Sequence, residues 1–392
     1  MTRILVPRER RPRETRVAAT PETVRRMVKE GLEVHVEAGA GEAAFFPDAR
    51  YVEAGAQVAP AGSEAWAAAD VVLKVGPLQP SEALGGGHEA DAPRSGAIVV
   101  GMLSPYNQVD AVRTLAARGV TSVAFELLPR VTRAQPMDAL SSQASVAGYK
   151  AALVAAHRLG RYFPLLMTAA GTLPPARVVV AGGGVAGLQA LATAKRLGAV
   201  VEVSDIRPEV KEQVESLGGR FIDLPAAEAG EQVSGGGGYA RQVSQRFLER
   251  QREIVAARVA AADVVITAAF VPGKRAPLLV SAAMVEAMRP GAVVVDLAVE
   301  QGGNCELSRA DEEVVHHGVL VLGTSNMAAT MPTDASAVYA RNALALLLHL
   351  WREHRLRIEP ADEIVGPMLV THGGEVVSPV IAALAGIPAT AS

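Results

Sequence analysis

The sequence predicts an α/β protein of two doubly wound, Rossmann-like domains with a cleft between them, and three observations carry that expectation. Short β-rich runs alternate with helical stretches along the chain, the pattern of parallel strands joined by crossover helices. A glycine turn, AGGGVAG, stands mid-chain between a valine run and a helix-compatible segment. The 392 residues also exceed one ordinary hydrophobic core, so two domains are expected.

Composition agrees with that class. Hydrophobic residues make up 49% and aromatic residues only 4%, which suits Ala/Val/Leu-rich helices on parallel sheets. The net charge of −3, from 38 basic and 41 acidic residues, leaves no basic footprint for nucleic acid or anionic lipid. Cys305 is the sole cysteine, so no intrachain disulfide or thiolate cluster is expected, no metal is assigned, and a reducing cytoplasm is the default compartment. The opening MTRILVPRERRPRETR lacks the apolar core of a signal peptide and reads as a first strand. No window reaches ~18 uninterrupted apolar residues. The best, Ser336 to Trp351, is broken by Arg341, so direct membrane insertion is not expected.

The elements follow in order: strand RILVPRE from Arg3, helix PETVRRMVKEG, then strands LEVHVEAG, ADVVLKV and GAIVVGML. The patch LQPSEALGGGHEADAPRSG between the last two reads as an exposed surface connection. TSVAFELLPR is followed by a polar stretch and a helix-compatible run from Ala144 through Arg161. A boundary near Leu140 gives a first domain of residues 1–140 plus 330–392 and a second of residues 141–329. The second opens with strand, glycine turn, helix and strand in ARVVVAGGGVAGLQALATAKRLGAVVEVSDIR, and continues with strands ADVVITAA, GAVVVDLA and GVLVLG. After MAATMPTDAS, the apolar helix ending at Trp351 is expected to pack back on the first domain, and the GIPATAS terminus to fray.

Gly182, Gly184 and Gly187 form G-x-G-x-x-G directly after RVVVA, with Val185 and Ala186 opening the helix. The first glycine permits a tight turn, the second lets backbone amides approach a pyrophosphate, and the third lets helix and strand pack closely. Asp205 ends the next strand about 20 residues on, where a carboxylate can accept from the adenosine ribose hydroxyls, with Ile206 and Arg207 beside it. It would also repel a 2′-phosphate, so the expected cofactor is NAD(H). Gly39-Ala40-Gly41 imitates half the fingerprint but reads as a plain turn. With one dinucleotide site, the hydride partner must be a small substrate or a nucleotide on another chain.

Arg130, Arg133, Gln135, Asp138 and Ser141 form a polar run between the two segments, either a dinucleotide contact or a solvated linker. Ser234 through Tyr239, SGGGGY, is either a flap whose tyrosine closes over nucleotide or a surface insertion. None of His35, His88, His157, His316, His317, His349, His354 and His372 falls in a catalytic motif. Asp296 and Glu300, past a strand end, could face the cleft or serve as loop carboxylates.

The stretches VPRERRPRETRVAATPETV, ELLPRVTRAQPMDALSSQASVAGYKA, MTAAGTLPPARVVVAGGGVAGLQALATAKRLGAVVEVSDIR, GGGGYARQ and VVVDLAVEQGGNCE together resemble, in the same order, the NAD(H)-binding domain I of proton-translocating NAD(P) transhydrogenases. That resemblance implies that Arg130, Gln135 and Asp138 contact the nicotinamide end and serve the hydride-transfer step, with Ser141 and Tyr149 beside them. It implies that Tyr239 belongs to a mobile loop. It implies a homodimer working with an NADP(H)-binding domain III and a membrane domain II on other chains, peripheral on the cytoplasmic face of the inner membrane, in an enzyme of the Si-/Re-specific type. The fold is also similar to alanine dehydrogenase, whose substrate arginine and lysine would fall on Arg16 and Lys74. Its catalytic histidine and aspartate would fall near Met102 and Glu300, which depart from the pattern and remove the general acid–base. A third reading is an NAD-sensing module without redox chemistry.

Overall fold

The computed structural model describes residues 2–223, 245–271 and 273–387, with 245–252 as backbone alone. The chain has two compact units, Met1–Gln143 with Ala329–Ser392, and Ala144–Ala328.

In the first unit, β1 (Arg3–Val6), β2 (Glu33–Glu37), β3 (Gln57–Ala59), β4 (Val71–Leu73), β5 (Ile98–Gly101) and β6 (Thr121–Ala124) lie in the order β3-β2-β1-β4-β5-β6, all parallel. The central strands β4 and β5 are buried along their whole length, which explains their continuous apolar runs. Thr20 caps the helix Pro21–Lys29 reciprocally with Thr23, and Pro21 sits where its missing N–H costs nothing. The long helix Pro332–Leu350 belongs to this unit: Tyr339, Leu344 and Leu347 share a core cluster with Ile4, Val34 and Val71.

Two parts of this unit differ from the sequence reading. The stretch past the long helix, where the sequence shows little periodicity, forms strands and a helix: Leu369–His372 pairs antiparallel with β6, Glu375–Val376 pairs beyond it, and a helix covers Pro379–Ala385, while residues 388–392 of the GIPATAS terminus lie outside the described residues. Its polar Thr371 hid it, because that hydroxyl is buried against Ser122 at 2.7 Å rather than exposed. The Gly/His-rich patch is no plain surface connection either. It folds into paired strands Pro80–Ser81 and Gly87–His88 and delivers Glu89 into the interior, 1% exposed.

In the second unit, β7 (Leu166–Thr168) and β8 (Gly171–Leu173) form a separate hairpin. The main sheet contains β9 (Arg177–Ala181), β10 (Val200–Ser204), β11 (Arg220–Phe221), β12 (Val264–Thr267), β13 (Val293–Asp296), β14 (Glu313–His316) and β15 (Val319–Leu322). Their order is β11-β10-β9-β12-β13-β15-β14, parallel except for the edge strand β14. The sequence EVVH hid β14, because its apolar residues do not alternate with polar ones and Val315 is exposed.

Both units are therefore Rossmann-like, and each sheet reverses its winding beside its first strand, between β1 and β4 and between β9 and β12. Such a switch point is where ligands enter doubly wound sheets. In the first unit it is filled by charge. Glu9, after β1, accepts from the Val75 N–H at 2.6 Å and from Lys74 Nζ at 3.1 Å, and Glu89 takes the same ammonium at 3.0 Å. Burial opposes the Lys74 charge, but the two carboxylates outweigh it and raise its pKa. Burial likewise pushes the Glu9 carboxyl up against the pull of Lys74.

Replacing Lys74 with Met leaves two buried carboxylates without a cation, and should cost about 3–5 kcal/mol near pH 7. Burial holds Glu9 above its ordinary value against the pull of Lys74, so losing that pull raises it further, and the folded variant takes up a proton more readily than the folded wild type. The deficit should therefore shrink as pH falls toward about 5 and grow as pH rises, as read by denaturant unfolding at both values.

Candidate nucleotide-binding site

At the second unit's switch point the chain carries no charge cluster but a glycine turn. β9 delivers Ala181 into Gly182, Gly183 and Gly184, and the helix Val185–Arg196 begins at once. Each of the three fingerprint glycines has a separate steric reason. Gly182 has φ +107°, and a Cβ there would lie 2.8 Å from the Ala268 carbonyl carbon and the Ala269 nitrogen after β12. At Gly187 a Cβ would lie 1.8 Å from the Gly182 carbonyl oxygen, so helix and strand could not approach as they do. Gly184, the N-cap at φ −75°, has nothing within 4 Å of where its Cβ would be. The open space therefore lies at the one glycine assigned to ligand approach. The first-turn amides of the 12-residue helix, at Val185 and Ala186 among others, lack intrahelical partners and open toward that end.

A fourth glycine escaped the sequence reading. Gly148, in the helix Ala139–Arg158, would place a Cβ 2.0 Å from the Ala186 carbonyl oxygen, so its absence lets that helix press on the first turn of the helix Val185–Arg196. An isolated glycine inside a helical run was the signal available.

Asp205 follows β10 and is 7% exposed. Its Oδ2 accepts from the Gly183 N–H at 2.7 Å, so the carboxylate shapes the turn itself. Arg207 clasps it through Nε to Oδ1 and Nη2 to Oδ2, both 2.9 Å, and through its backbone N–H at 2.9 Å. These charge-assisted bonds raise the Arg207 pKa and commit its guanidinium. A 2′-phosphate would meet a carboxylate and a neutralised arginine. An adenosine ribose must share Asp205 with that clasp. The open Gly184 face, the helix terminus and Asp205 fit a dinucleotide with free ribose hydroxyls.

Asp296 is not a ligand group. It is fully buried and accepts from Thr267 Oγ1 at 2.9 Å and from the N–H groups of Ala298, Asn304 and Cys305 at 2.9, 2.9 and 3.0 Å. Asn304 in turn bonds the Ala269 N–H at 3.0 Å and the Pro277 carbonyl at 2.8 Å, fixing the loop after β12. Glu300 is exposed on the short turn Val299–Gln301.

The polar run lies in the first unit as a short 3-10 segment, Thr132–Met137. Gln135 and Arg130 are exposed, while Arg133 pairs with Glu363 at 2.5 Å. Asp138 caps the helix Ala139–Arg158, accepting from the Ser141 N–H at 2.9 Å and its hydroxyl at 2.6 Å, and Arg130 stands 3.9 Å away. The long helix holds this segment through Asn342, which donates to the Pro136 carbonyl and accepts from Ser142 Oγ at 2.7 Å. Nothing in the apolar run around Asn342 marked it beforehand. Tyr149 is 36% exposed. Arg16 is buried and bound by Glu14 at 2.7 Å and Gln143 at 2.8 Å, and Met102 packs against the first unit's core. Ser234 through Tyr239 lie outside the described residues.

Residues 5–147 match the N-terminal domain of the alanine dehydrogenase/PNT family and residues 151–379 its C-terminal domain. The chain is 45% identical over 381 residues to the first portion of the NAD(P) transhydrogenase alpha subunit of Rhodospirillum rubrum, covering 97% of this chain and 98% of that protein. It is 33% identical over 400 residues to alanine dehydrogenase of Mycobacterium tuberculosis, covering 99% and 98%. Among solved structures, a transhydrogenase from Sinorhizobium meliloti aligns with TM-score 0.83 and 43% identity, over 96% of this chain and all of the other.

The glycines separate by experiment. Gly184→Ser should leave the melting temperature nearly unchanged while weakening NADH binding, because serine keeps the helix cap and its side chain meets only the ligand's space; Gly187→Ala should lower stability by about 1–3 kcal/mol through overpacking. Thermal unfolding beside NADH titration reads both. Asp205→Asn should weaken NADH binding by about 10- to 100-fold, the worth of a hydrogen bond to a charged group, and reduce discrimination against NADPH.

Proposed function

The chain belongs to the alanine dehydrogenase/PNT family, and on that premise we propose that it is the NAD(H)-binding subunit of a proton-translocating transhydrogenase, passing hydride directly from NADH to NADP+ held on a partner chain. The observation that carries this reading is the glycine turn whose open side lies at Gly184, next to a carboxylate that leaves no welcome for a 2′-phosphate. NAD(H) is the cofactor, and its nicotinamide ring supplies the hydride.

The chain's own residues bind, orient and exclude water. The amides of Gly184, Val185, Ala186 and Gly187 receive the pyrophosphate at the helix terminus. Asp205, Ile206 and Arg207 receive the adenosine ribose. Gln135, Arg130 and Asp138 position the nicotinamide end, with Ser141 and Tyr149 beside them. Hydride passage between two nicotinamides needs no proton shuttle, which agrees with Met102 standing where a dehydrogenase would carry its histidine. Proton coupling belongs to a membrane domain on another chain, with the subunit peripheral on the cytoplasmic face of the inner membrane; no described helix is long and apolar enough to cross. Transfer follows the Si-/Re-specific type.

The same reading includes a homodimer, supported by the β7–β8 hairpin, which exposes Leu165, Met167 and Leu173, with Met167 75% accessible. Met167→Asp should convert dimer to monomer in light scattering, with the melting transition of the isolated chain retained.

Mixing the chain with the NADP(H)-binding domain should give hydride transfer from NADH to an NADP+ analogue that neither component gives alone. Turnover of pyruvate and ammonia by the chain alone would instead favour alanine dehydrogenase, and NADH binding without any turnover a sensing module. Gln135→Asn should slow transfer by about 100-fold, the effect of a ~1 Å misplacement, with a much smaller change in NADH affinity. Equal losses would remove the positioning role.

A further inference from the structure

Far from the glycine turn, the second unit gathers two histidines and a glutamate. His316 ends β14, and His317-Gly318 make the two-residue connection to β15, with His316 facing Val319 across the hairpin. Both connecting residues have positive φ, +49° at His317 and +76° at Gly318, as the tightest twisted hairpin turn requires. Glycine is at home there, whereas histidine is an uncommon occupant of that backbone conformation. Successive side chains of a strand point to opposite faces, but the left-handed backbone at His317 brings its ring alongside that of His316, the centroids 4.7 Å apart. Glu286, the last residue of the helix Ala282–Glu286, reaches the pair and bonds His316 Nε2 at 2.9 Å. One ligand atom from each of the three side chains lies within 4.8 Å of the others.

The scaffold around them is fixed. The Gly318 carbonyl accepts from the Gly291 N–H at 2.8 Å, the Leu320 N–H bonds Ala292 at 3.0 Å, and Gly318 packs so closely that a Cβ would lie 3.0 Å from Pro290. Two imidazoles and one carboxylate on rigid elements form a donor set of the kind that takes a divalent transition ion, and they disfavour the hard, all-oxygen ions magnesium and calcium. We propose that Glu286, His316 and His317 form a binding site for one divalent transition-metal ion such as Zn2+. Three protein ligands leave a coordination position for water, so the site is open rather than a closed structural clasp. It lies at the amino ends of β13 and β15, whereas the nucleotide turn lies at the carboxyl end of the parallel β9. Metal and nucleotide therefore bind independently.

Calorimetric titration of the untagged, metal-stripped full chain with zinc chloride tests this. One ion per chain is expected, with a melting temperature that rises with zinc concentration and an NADH affinity that does not change. His316→Gln and His317→Asn should each weaken zinc binding by at least about tenfold, and His354→Asn should leave it intact. Asparagine tolerates the left-handed turn, so the His317 variant should melt with the wild type in the absence of metal. Cobalt substitution should show nitrogen and oxygen ligation without the thiolate absorption that Cys305 would give. No stoichiometric zinc binding, or binding that survives both substitutions, would overturn the site.

Discussion

The second unit depends on one close approach: the carbonyl oxygen of Gly182 occupies the place where a Cβ on residue 187 would have to be. Only that contact lets the helix Val185–Arg196 start directly from the end of β9, and only that start aims its free amides past Gly184 into open space. Gly148 repeats the device from outside, so the first turn of the helix is gripped between a strand end and a neighbouring helix. A single methyl group at either position would displace the amides of that first turn. The placing of these amides is thus a consequence of packing density.

The two units share one winding and differ in what stands at the switch point. Where the second has glycines, the first has Glu9, Lys74 and Glu89, which bond one another and the backbone after β4. The same topology thus carries an open glycine turn in one unit and a buried ion cluster in the other. The first unit is left to carry the Gln135 segment, braced by Asn342 and by the Asp138 cap.

Much of this was legible in the residues, for physical reasons. The valine runs, the glycine turn and Asp205 announce themselves because their spacing is dictated by local geometry. Glu89 and Asn342 were not legible, and Gly148 only as an isolated glycine in a helical run, because their roles are set by partners outside their own segments: Lys74, Pro136 and Ala186. Asp296 shows the converse. Its place past a strand end left a cleft-facing group and a loop carboxylate both open, and four internal hydrogen bonds make it the organiser of the loop through Cys305. The strand Leu369–His372 escaped for a related reason, since a buried hydroxyl pair reads in sequence as surface.

The most direct test of the account is the number of NADH molecules bound per chain at saturation, counted by equilibrium dialysis or calorimetry. A glycine turn in one unit and a closed ion cluster in the other predict one site per chain; a stoichiometry of two, or none, would contradict the division of labour between the units.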